Sequence, residues 1–267
     1  MRPIAIPLYL RKLSGYTKEE MTTLIHNNNK EILKGAPDVS VVLPAYNEED
    51  NILFALLSVS QNKTRFSVEI IVVNNNSKDN TEALVTAAGI KCINETTPGV
   101  TAARNAGLSA AKGKYMLNAD SDSIYPPDWI ELMITPLEKH DNIGITYGRF
   151  SFIPSGRAIR VSYFLYENMA DILRWTKKKF KEEAMNVYGC SSGFRRAQCL
   201  QVNGYEHPLG TNEDGWLAVK LRKKGFGRLE YITDPKAMVW TVDRHLQKDG
   251  GLWKALVMRI KQVMFKK

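Results

Sequence analysis

Cysteine is scarce: Cys92, Cys190 and Cys199 are the only three in 267 residues. They are odd in number and form no CxxC pair, which excludes a disulfide framework and a cysteine-based zinc site and points to a reducing compartment. Long apolar runs are also missing. Nothing approaches the roughly 20 consecutive apolar residues of a membrane span. The opening "MRPIAIPLYL" has an early arginine, but its apolar stretch is short and broken by Pro3 and Pro7, so it does not read as a secretory leader. The expected location is cytoplasmic, with peripheral placement on the inner face of the cell membrane as an extension of that reading. Zinc-finger spacing, an RNA-recognition signature and a nucleic-acid-binding basic arm are absent too, so nucleic acid is not an expected partner. Low-complexity segments and internal repeats are not seen.

What is present is a chain with 44% hydrophobic and 24% charged residues, a net charge of +9 and a pI near 9.3. Such a chain can bury a large core, and its charge suits an anionic partner such as a phosphorylated small molecule or anionic lipid. Residues 1–36 read as a partly helical appendage. From "VSVVLPAYNEED" onward, short β-branched runs alternate with helical spacing. Val39 to Leu43 reads as a buried parallel strand stopped by Pro44, and "EEDNILFALLSVSQ" as a helix. "VEIIVVNNNSKDNTEALVTAAG" supplies a strand, a polar turn and a helix opened by Ser77 or Asp79. "IKCINE" is a weaker strand, "GVTAARNAGLSAAKG" a small-residue helix ended by Gly113, and "KYMLNA" a fourth strand. Farther on, "IGITYGRFSF" reads as one strand, "SYFLYENMADILRW" as a helix, "GCSSGFRRAQCLQVNGY" as strand, turn and helix, and "TNEDGWLAVKLRKKG" as a helix ended by Gly225. This alternation predicts an α/β fold with a mostly parallel central sheet flanked by helices. In such sheets ligands gather at the carboxyl ends of the strands. Those ends carry "PAYNEE", "NNNSKDN" and "DSDS".

In "DSDS", Asp120 and Asp122 stand one residue apart after an apolar strand. Two carboxylates this close repel, and a cation relieves that repulsion. Mg²⁺ and Mn²⁺ favour oxygen ligands and are often completed by substrate phosphates. A DxD in isolation is more often a solvated turn or a helix cap, and its place after a buried strand reverses that balance in favour of the metal. Asn and Glu side chains at the other strand ends can recognise a base or ribose, although they also suit any turn. Arg104, near a helix start, suits phosphate or a plain surface ion pair. Glu213 and Asp214 sit at a helix N-terminus, where the helix dipole favours carboxylates with or without a chemical role.

Taken in order, "VSVVLPAYNEE", "EIIVVNNNSKDNT", "GVTAARNAGLSAAKGKYMLNADSDS" and "NEDGWLAVKLRKKG" closely resemble the family-2 glycosyltransferases of GT-A fold, over about Val39 to Arg244. The resemblance implies transfer of a sugar from a nucleoside diphosphate sugar to an acceptor hydroxyl, with inversion and with Mn²⁺ or Mg²⁺ as cofactor. It implies that Pro44, Ala45, Tyr46, Asn47 and Glu48 line the nucleoside, and that Asn74 and Asn76 hold the base and ribose. Arg104 would face the donor, Asp120 and Asp122 would carry the metal-bound diphosphate, and Asp214 would be the catalytic base with Glu213 beside it in the substrate site. Arg244 and His245 are further candidates near the diphosphate or acceptor. One departure bears on the base: the family's second strand usually ends "VDDGS" or "VDNGS", whereas this chain has "VNNNS", with Asn74 at the place of the aspartate. A UDP-sugar is the favoured donor, with a GDP-sugar as the second choice.

The implied setting is bacterial cell-surface polysaccharide or lipid-linked glycan assembly, with a glycan or lipid-linked acceptor. The final stretch, "GLWKALVMRIKQVMFKK", puts Trp253, Leu256, Val257, Ile260 and Val263 on one helical face flanked by cations. This suits a membrane interface as well as packing on the domain. The expected organisation is an appendage over 1–36, a glycosyltransferase domain over 37–245 and an amphipathic basic helix over 246–267. The competing functions are a nucleotidyltransferase, whose phosphate loop would be richer in Gly and Lys than "PAYNEE", and a non-catalytic nucleotide-sugar binding module, against which the intact "DSDS" and "NEDG" speak.

Overall fold

Alternation of apolar side chains along the first strands sets the architecture. In β1 (Val39–Ala45), Val39, Val41, Leu43 and Ala45 enter one core while Val42 enters another. In β2 (Val68–Asn74), Val68, Ile70 and Val72 join the first core, and Ile71 and Val73 the second. Strands buried on both faces need helices on both faces, which is the layered α/β arrangement. The computed structural model describes residues 2–154, 159–180 and 182–244, together with Gly251, Leu252, Lys254 and Val257.

The helices run in chain order as α1 (Leu8–Leu13), α2 (Lys18–Ile32), α3 (Ile52–Ser60), α4 (Thr81–Ala87), α5 (Val100–Ala110), α6 (Trp129–Lys139), α7 (Arg160–Phe180), α8 (Arg196–Leu200) and α9 (Glu213–Lys223). The remaining strands are β3 (Lys91–Asn94), β4 (Tyr115–Asn118), β5 (Ser123–Ile124), β6 (Ile143–Tyr147), β7 (Phe150–Ile153), β8 (Ser192–Arg195), β9 (Arg228–Tyr231) and β10 (Val239–Val242). Seven strands form the main sheet in the order β3-β2-β1-β4-β8-β6-β9, and β5-β10-β7 form a small second sheet. Only β8 runs against its neighbours in the main sheet; every other pair is parallel. The carboxyl ends of β1, β2, β4, β6 and β9 therefore share one edge, and the reversed β8 brings its leading segment, 189–191, to that edge as well.

Several local expectations give way to packing. Pro44 does not stop β1, which continues to Ala45 and pairs Pro44 with Val73. Val42 turns its carbonyl to the β4 side, where it accepts from Ala119. Pro44, two residues on, faces the same side, but β4 pairs β1 only as far as Val42. No partner strand there needs the missing N–H. "IGITYGRFSF" splits into β6 and β7 in different sheets. Gly148 is the break: its N–H donates to the Ser191 carbonyl, and a Cβ there would lie 2.4 Å from Ser191 Oγ. The helix expected from Ser77 or Asp79 begins at Thr81, whose N–H bonds Asp79 Oδ1 at 3.0 Å.

The N-terminal stretch read as an appendage packs into the main core. α2 opens with a capping box between Thr17 and Glu20, and it buries Met21, Ile25 and Ile32 against α3. Arg2 is buried as well, with Nε and Nη2 each 2.8 Å from Asp171 on α7. The C-terminal helix expected over 246–267 lies, apart from Gly251, Leu252, Lys254 and Val257, outside the described residues, as does His245. Leu252 packs beside Phe152, Tyr163 and Tyr166. Among the described residues no helix is long and apolar enough to cross a membrane.

Candidate active site

A cleft of about 790 Å³ opens at the carboxyl edge of the main sheet. Its walls come from the turn after β1, the turn after β2, the start of α5, the turn between β4 and β5, Gly189, the start of α9 and the end of β10. The first two turns are lashed together. Asn47 Oδ1 accepts from the Lys78 N–H at 2.7 Å, Glu48 N–H donates to Thr81 Oγ1 at 2.8 Å, and Glu49 N–H donates to Asp79 Oδ2 at 3.1 Å. Asn47 adopts the left-handed conformation at φ 53°, which asparagine tolerates better than most residues. These polar side chains give the rim a fixed shape.

β4 delivers the acidic pair, and each member meets an arginine. Asp120 Oδ1 accepts from Arg104 Nη2 at 2.9 Å. Asp122 Oδ2 accepts from Arg244 Nη2 at 3.0 Å, and the same nitrogen bonds Glu48. Tyr125 Oη accepts from the Asp120 N–H at 2.6 Å and so fixes the turn. Burial raises the Asp120 carboxyl, Arg104 pulls it back, and Asp122 adds to the rise.

Arg104 is 1% exposed, so it is not the surface ion pair that its helix position allowed. Its guanidinium lies between Asp120 and Asp214, with Nε 3.7 Å from Asp214 Oδ1. Burial works against its charge, but Asp214 and Asp120 outweigh that and hold it protonated. Asp214 is buried at the N-terminus of α9 and accepts from Asn118 Nδ2 at 3.3 Å. Asn118 in turn donates to Ser192 Oγ and accepts from Tyr205 Oη. The Asp214 carboxyl is pushed up to about 8: burial dominates, Arg104 opposes it, and Glu213 and Asp120 add to the rise. A carboxylate titrating near neutrality can both take and give a proton at working pH. Gly189 closes over this group, where a Cβ would fall 2.1 Å from Arg104 Nη2 and 2.6 Å from Asp214 Oδ2.

Most residues expected at the site line this cleft: Pro44, Ala45, Tyr46, Glu48, Asn76, Arg104, Asp120, Asp122, Glu213, Asp214 and Arg244. Two expected residues do not. Asn47 holds the rim, and Asn74 turns away to donate to Asn94 Oδ1 at 2.7 Å and to Glu82 Oε2 at 3.3 Å. Asn75 lines the cleft instead, and its Oδ1 accepts from the Gly99 N–H at 2.8 Å, which fixes the start of α5. Lys78, Gly99, Ser121, Gly189 and Thr241 also line it without having been singled out. The run "NNN" could not say which of three amides faces inward, because it lies where strand alternation ends.

The residues present fit a divalent cation completed by substrate. Five carboxylates border the cleft (Glu48, Asp120, Asp122, Glu213 and Asp214) against three cations (Lys78, Arg104 and Arg244). A bare diphosphate would meet excess negative charge there, in a protein that carries +9 overall. Among the described residues no three His, Cys, Asp or Glu side chains converge as a ready-made metal cage. An Asp pair that leaves several positions to phosphate and water is the usual provision for Mg²⁺.

Comparison with known proteins agrees with this geometry. The family model described as Glycosyl transferase family 2 matches residues 40–200. The Escherichia coli UDP-Glc:alpha-D-GlcNAc-diphosphoundecaprenol beta-1,3-glucosyltransferase WfgD is 34% identical over 119 residues, 43% of this chain and 46% of that protein. The probable glycosyltransferase YdaM of Bacillus subtilis is 27% identical over 242 residues, 84% of this chain and 54% of that protein. An uncharacterised glycosyltransferase of Haemophilus influenzae matches over 36% of its own length, so the chain spans about a third to a half of these curated relatives. Among solved structures, a mannosyltransferase from Pyrobaculum calidifontis in complex with GDP-Man and Mn²⁺ superposes with a TM-score of 0.58 at 17% identity, over 96% of this chain and 81% of that one. Glucosyl-3-phosphoglycerate synthase from Mycobacterium tuberculosis, with Mn²⁺, UDP and phosphoglyceric acid, gives 0.54 at 21% identity over 93% and 83%. At these identities the structural likeness establishes the fold alone.

Proposed function

The chain belongs to glycosyl transferase family 2 and has the GT-A type of fold, and from that premise we propose that it is an inverting, divalent-metal-dependent hexosyltransferase. It moves a sugar from a nucleoside diphosphate sugar to an acceptor hydroxyl. The observation that carries this reading is the convergence of Asp120, Asp122 and the raised Asp214 around one cleft, bridged by buried Arg104.

The residues divide the work. The rim from Pro44 to Glu48, with Asn75 and Asn76, receives the nucleoside, and the start of α5 turns its free N–H groups toward phosphate. Asp120 and Asp122 would hold Mg²⁺ or Mn²⁺, which when bound supplies electrostatic stabilisation of the departing diphosphate. Asp214 accepts the proton of the acceptor hydroxyl as that oxygen attacks the anomeric carbon from the face opposite the diphosphate. Asn118 fixes the Asp214 carboxylate, and Arg104 stabilises its charged form. With Asn74 turned aside and the Asn75 amide engaged by Glu95, Thr97 and Gly99, base recognition falls to Asn76. A UDP-sugar is the first donor to test and a GDP-sugar the second.

The acceptor is a glycan, lipid-linked in a bacterial surface-polysaccharide pathway, and the protein meets the membrane peripherally. The support lies on α7. Its inner face buries Tyr163, Tyr166 and Ala170, while Val161, Leu165, Met169, Ile172 and Trp175 recur at helical spacing and are 42–63% exposed. The helix then continues through Lys177, Lys178 and Lys179 in the sequence. An apolar stripe followed by cations suits an anionic bilayer surface. The C-terminal segment 246–267 remains a second contributor to that contact.

The test is a panel of UDP- and GDP-sugars assayed with the full chain in Mn²⁺ and in EDTA. Binding and diphosphate release with at least one donor, lost in EDTA and giving product of inverted anomeric configuration by NMR, is the expected result. Retained configuration, or equal turnover in EDTA, rejects the mechanism.

A further inference from the structure

A second cavity, of about 420 Å³, opens on the same edge of the main sheet at the ends of β6 and β9. These strands stand two and three positions from β4, which at roughly 4.8 Å per strand puts the cavity about 10–15 Å along the edge from the Asp pair. Tyr147 and Tyr231 end their strands as a registered pair, with rings stacked at 5.0 Å and 17°. Trp175, Arg174 and Asp171 face them from α7, and Arg149 and Asn186 complete the wall.

The polar groups of this wall are only partly matched inside the protein. Asn186 is 4% exposed; its Nδ2 donates to the Arg174 carbonyl at 3.1 Å, and its Oδ1 has no partner. The Nε atoms of Arg149 and Arg174 also lack partners. Leaving one such buried group unmade typically costs about 1–3 kcal/mol, so three around one cavity call for an explanation. The wall therefore combines unmet donors, an unmet acceptor and aromatic rings. A saccharide answers all three, because each hydroxyl both donates and accepts and its C–H faces pack on rings. Charge narrows the class further. Asp171 is already shared by Arg2 and Arg174, and Arg149 has no carboxylate partner among the described residues. The cavity keeps a surplus of positive charge.

We propose that this cavity is a distal acceptor subsite that takes an acidic saccharide residue, one bearing a phosphate or a carboxylate. It places the acceptor chain so that a hydroxyl farther along reaches Asp214. The segment 182–191 connects the two places, with Asn186 in the subsite and Gly189 over Asp214. Because Trp175 also belongs to the exposed stripe of α7, the phosphorylated head of a lipid-linked glycan is one source of this chemistry, and a uronic acid within the glycan is the other. The assignment rests on the glycan-acceptor reading above, but the binding test stands apart from it.

The test uses the full chain with saturating Mn²⁺ and nucleoside diphosphate, so that the main cleft is filled. Glucose 1-phosphate, methyl glucuronoside and methyl glucoside are titrated by saturation-transfer NMR and calorimetry against wild type, Arg149→Ala and Trp175→Ala, with melting curves to check folding. Binding of at least one acidic probe, tighter than the neutral sugar, and a loss of about tenfold in Arg149→Ala as expected for a hydrogen bond to a charged group, support the subsite. Trp175→Ala, at an exposed position, should weaken the acidic probes too while leaving donor affinity unchanged. Preference for the phosphate or for the uronate identifies the source. Failure of both acidic probes to bind wild type, or binding in both variants as tight as in wild type, overturns the proposal. Acidic probes that bind as predicted, in a protein that transfers no sugar to any glycan, would leave the subsite standing and remove the acceptor reading instead.

Discussion

Replacing Gly189 with alanine adds one methyl group at the point where the site has least room for it. The new carbon would fall 2.1 Å from Arg104 Nη2 and 2.6 Å from Asp214 Oδ2, closer than real contacts allow. Arg104 cannot swing into water, being 1% exposed, so it has to give up its 2.9 Å bond to Asp120. Overpacking typically costs about 1–3 kcal/mol and a hydrogen bond to a charged group about 1.5–3, so the expected destabilisation is about 3–5 kcal/mol. For a chain of this size that lowers Tm by roughly 10 °C. Turnover should fall at least about a hundredfold, because Asp214, the proposed proton acceptor, is displaced together with the arginine. Gly210→Ala is the control: its Cβ meets nothing within 4 Å, and only its φ of +81° is unfavourable. Urea unfolding and single-turnover sugar transfer would be measured on both variants. If Gly189→Ala matched Gly210→Ala in stability and kept wild-type turnover, the packing around Arg104 and Asp214 would have been misjudged.

Asp214→Asn should retain donor binding and lose about 10²–10⁴-fold in rate, measured as kcat against donor KM. Because the Asp214 carboxyl sits near 8 in the folded protein, kcat/KM should rise as pH increases toward 8, and the Asn variant should lack that limb. The stability sign follows from the same shift. With a folded value above the ordinary 3.8, the carboxyl favours the fold below about pH 4, and that contribution is lost as pH rises through about 8. The Asn variant should therefore lose less stability over that window in pH-dependent melts. Asp122→Ala should weaken donor binding strongly in Mn²⁺ and little in EDTA, and calorimetry showing equal loss in both would separate Asp122 from the cation. Leu165→Glu with Ile172→Glu should abolish flotation with anionic liposomes while nucleotide binding persists; unchanged flotation would move the membrane contact elsewhere.

The parts of the fold that declared themselves in the sequence are those where side-chain period and burial coincide. β1 and β2 alternate cleanly between two cores, and Asp120 and Asp122 follow β4 so closely that their place on the carboxyl edge, where the cleft opens, is legible. β8 is legible as a strand, but its reversed direction is not, since "SGFR" has neither period nor length and is buried through its neighbours. Gly189 gave no signal at all. Its constraint comes from Arg104 and Asp214, far away in the chain, and a glycine without positive φ looks like any other. The packing of the N-terminal stretch is not legible in its own sequence, because its anchors, Arg2 with Asp171 and Ile25 with the core, are contacts between distant segments. The Asn74 and Asn75 choice turned on one residue of register, the quantity that sequence patterns fix least well at a strand end.

Under the proposed metal-dependent mechanism, the two arginines of the cleft would make its ligands dependent on one another. Arg244 is engaged by Glu48 and Asp122, and Arg104 by Asp120. A diphosphate arriving alone would meet five carboxyl groups, while a divalent cation arriving alone would have to take Asp120 and Asp122 from guanidinium groups, leaving Arg104 to Asp214 and Arg244 to Glu48. Arriving together, they would relieve each other: Asp120 and Asp122 would pass to the cation, and Arg244, left with Glu48, would turn to the phosphates. Each ligand would then raise the affinity for the other, and by thermodynamic reciprocity by the same factor in either direction. Measured separately, both should look like poor ligands, and the free nucleotide should compete weakly in a metal-starved protein. The same exchange would break the contact of Arg244, just beyond β10, with Asp122 and keep the one with Glu48.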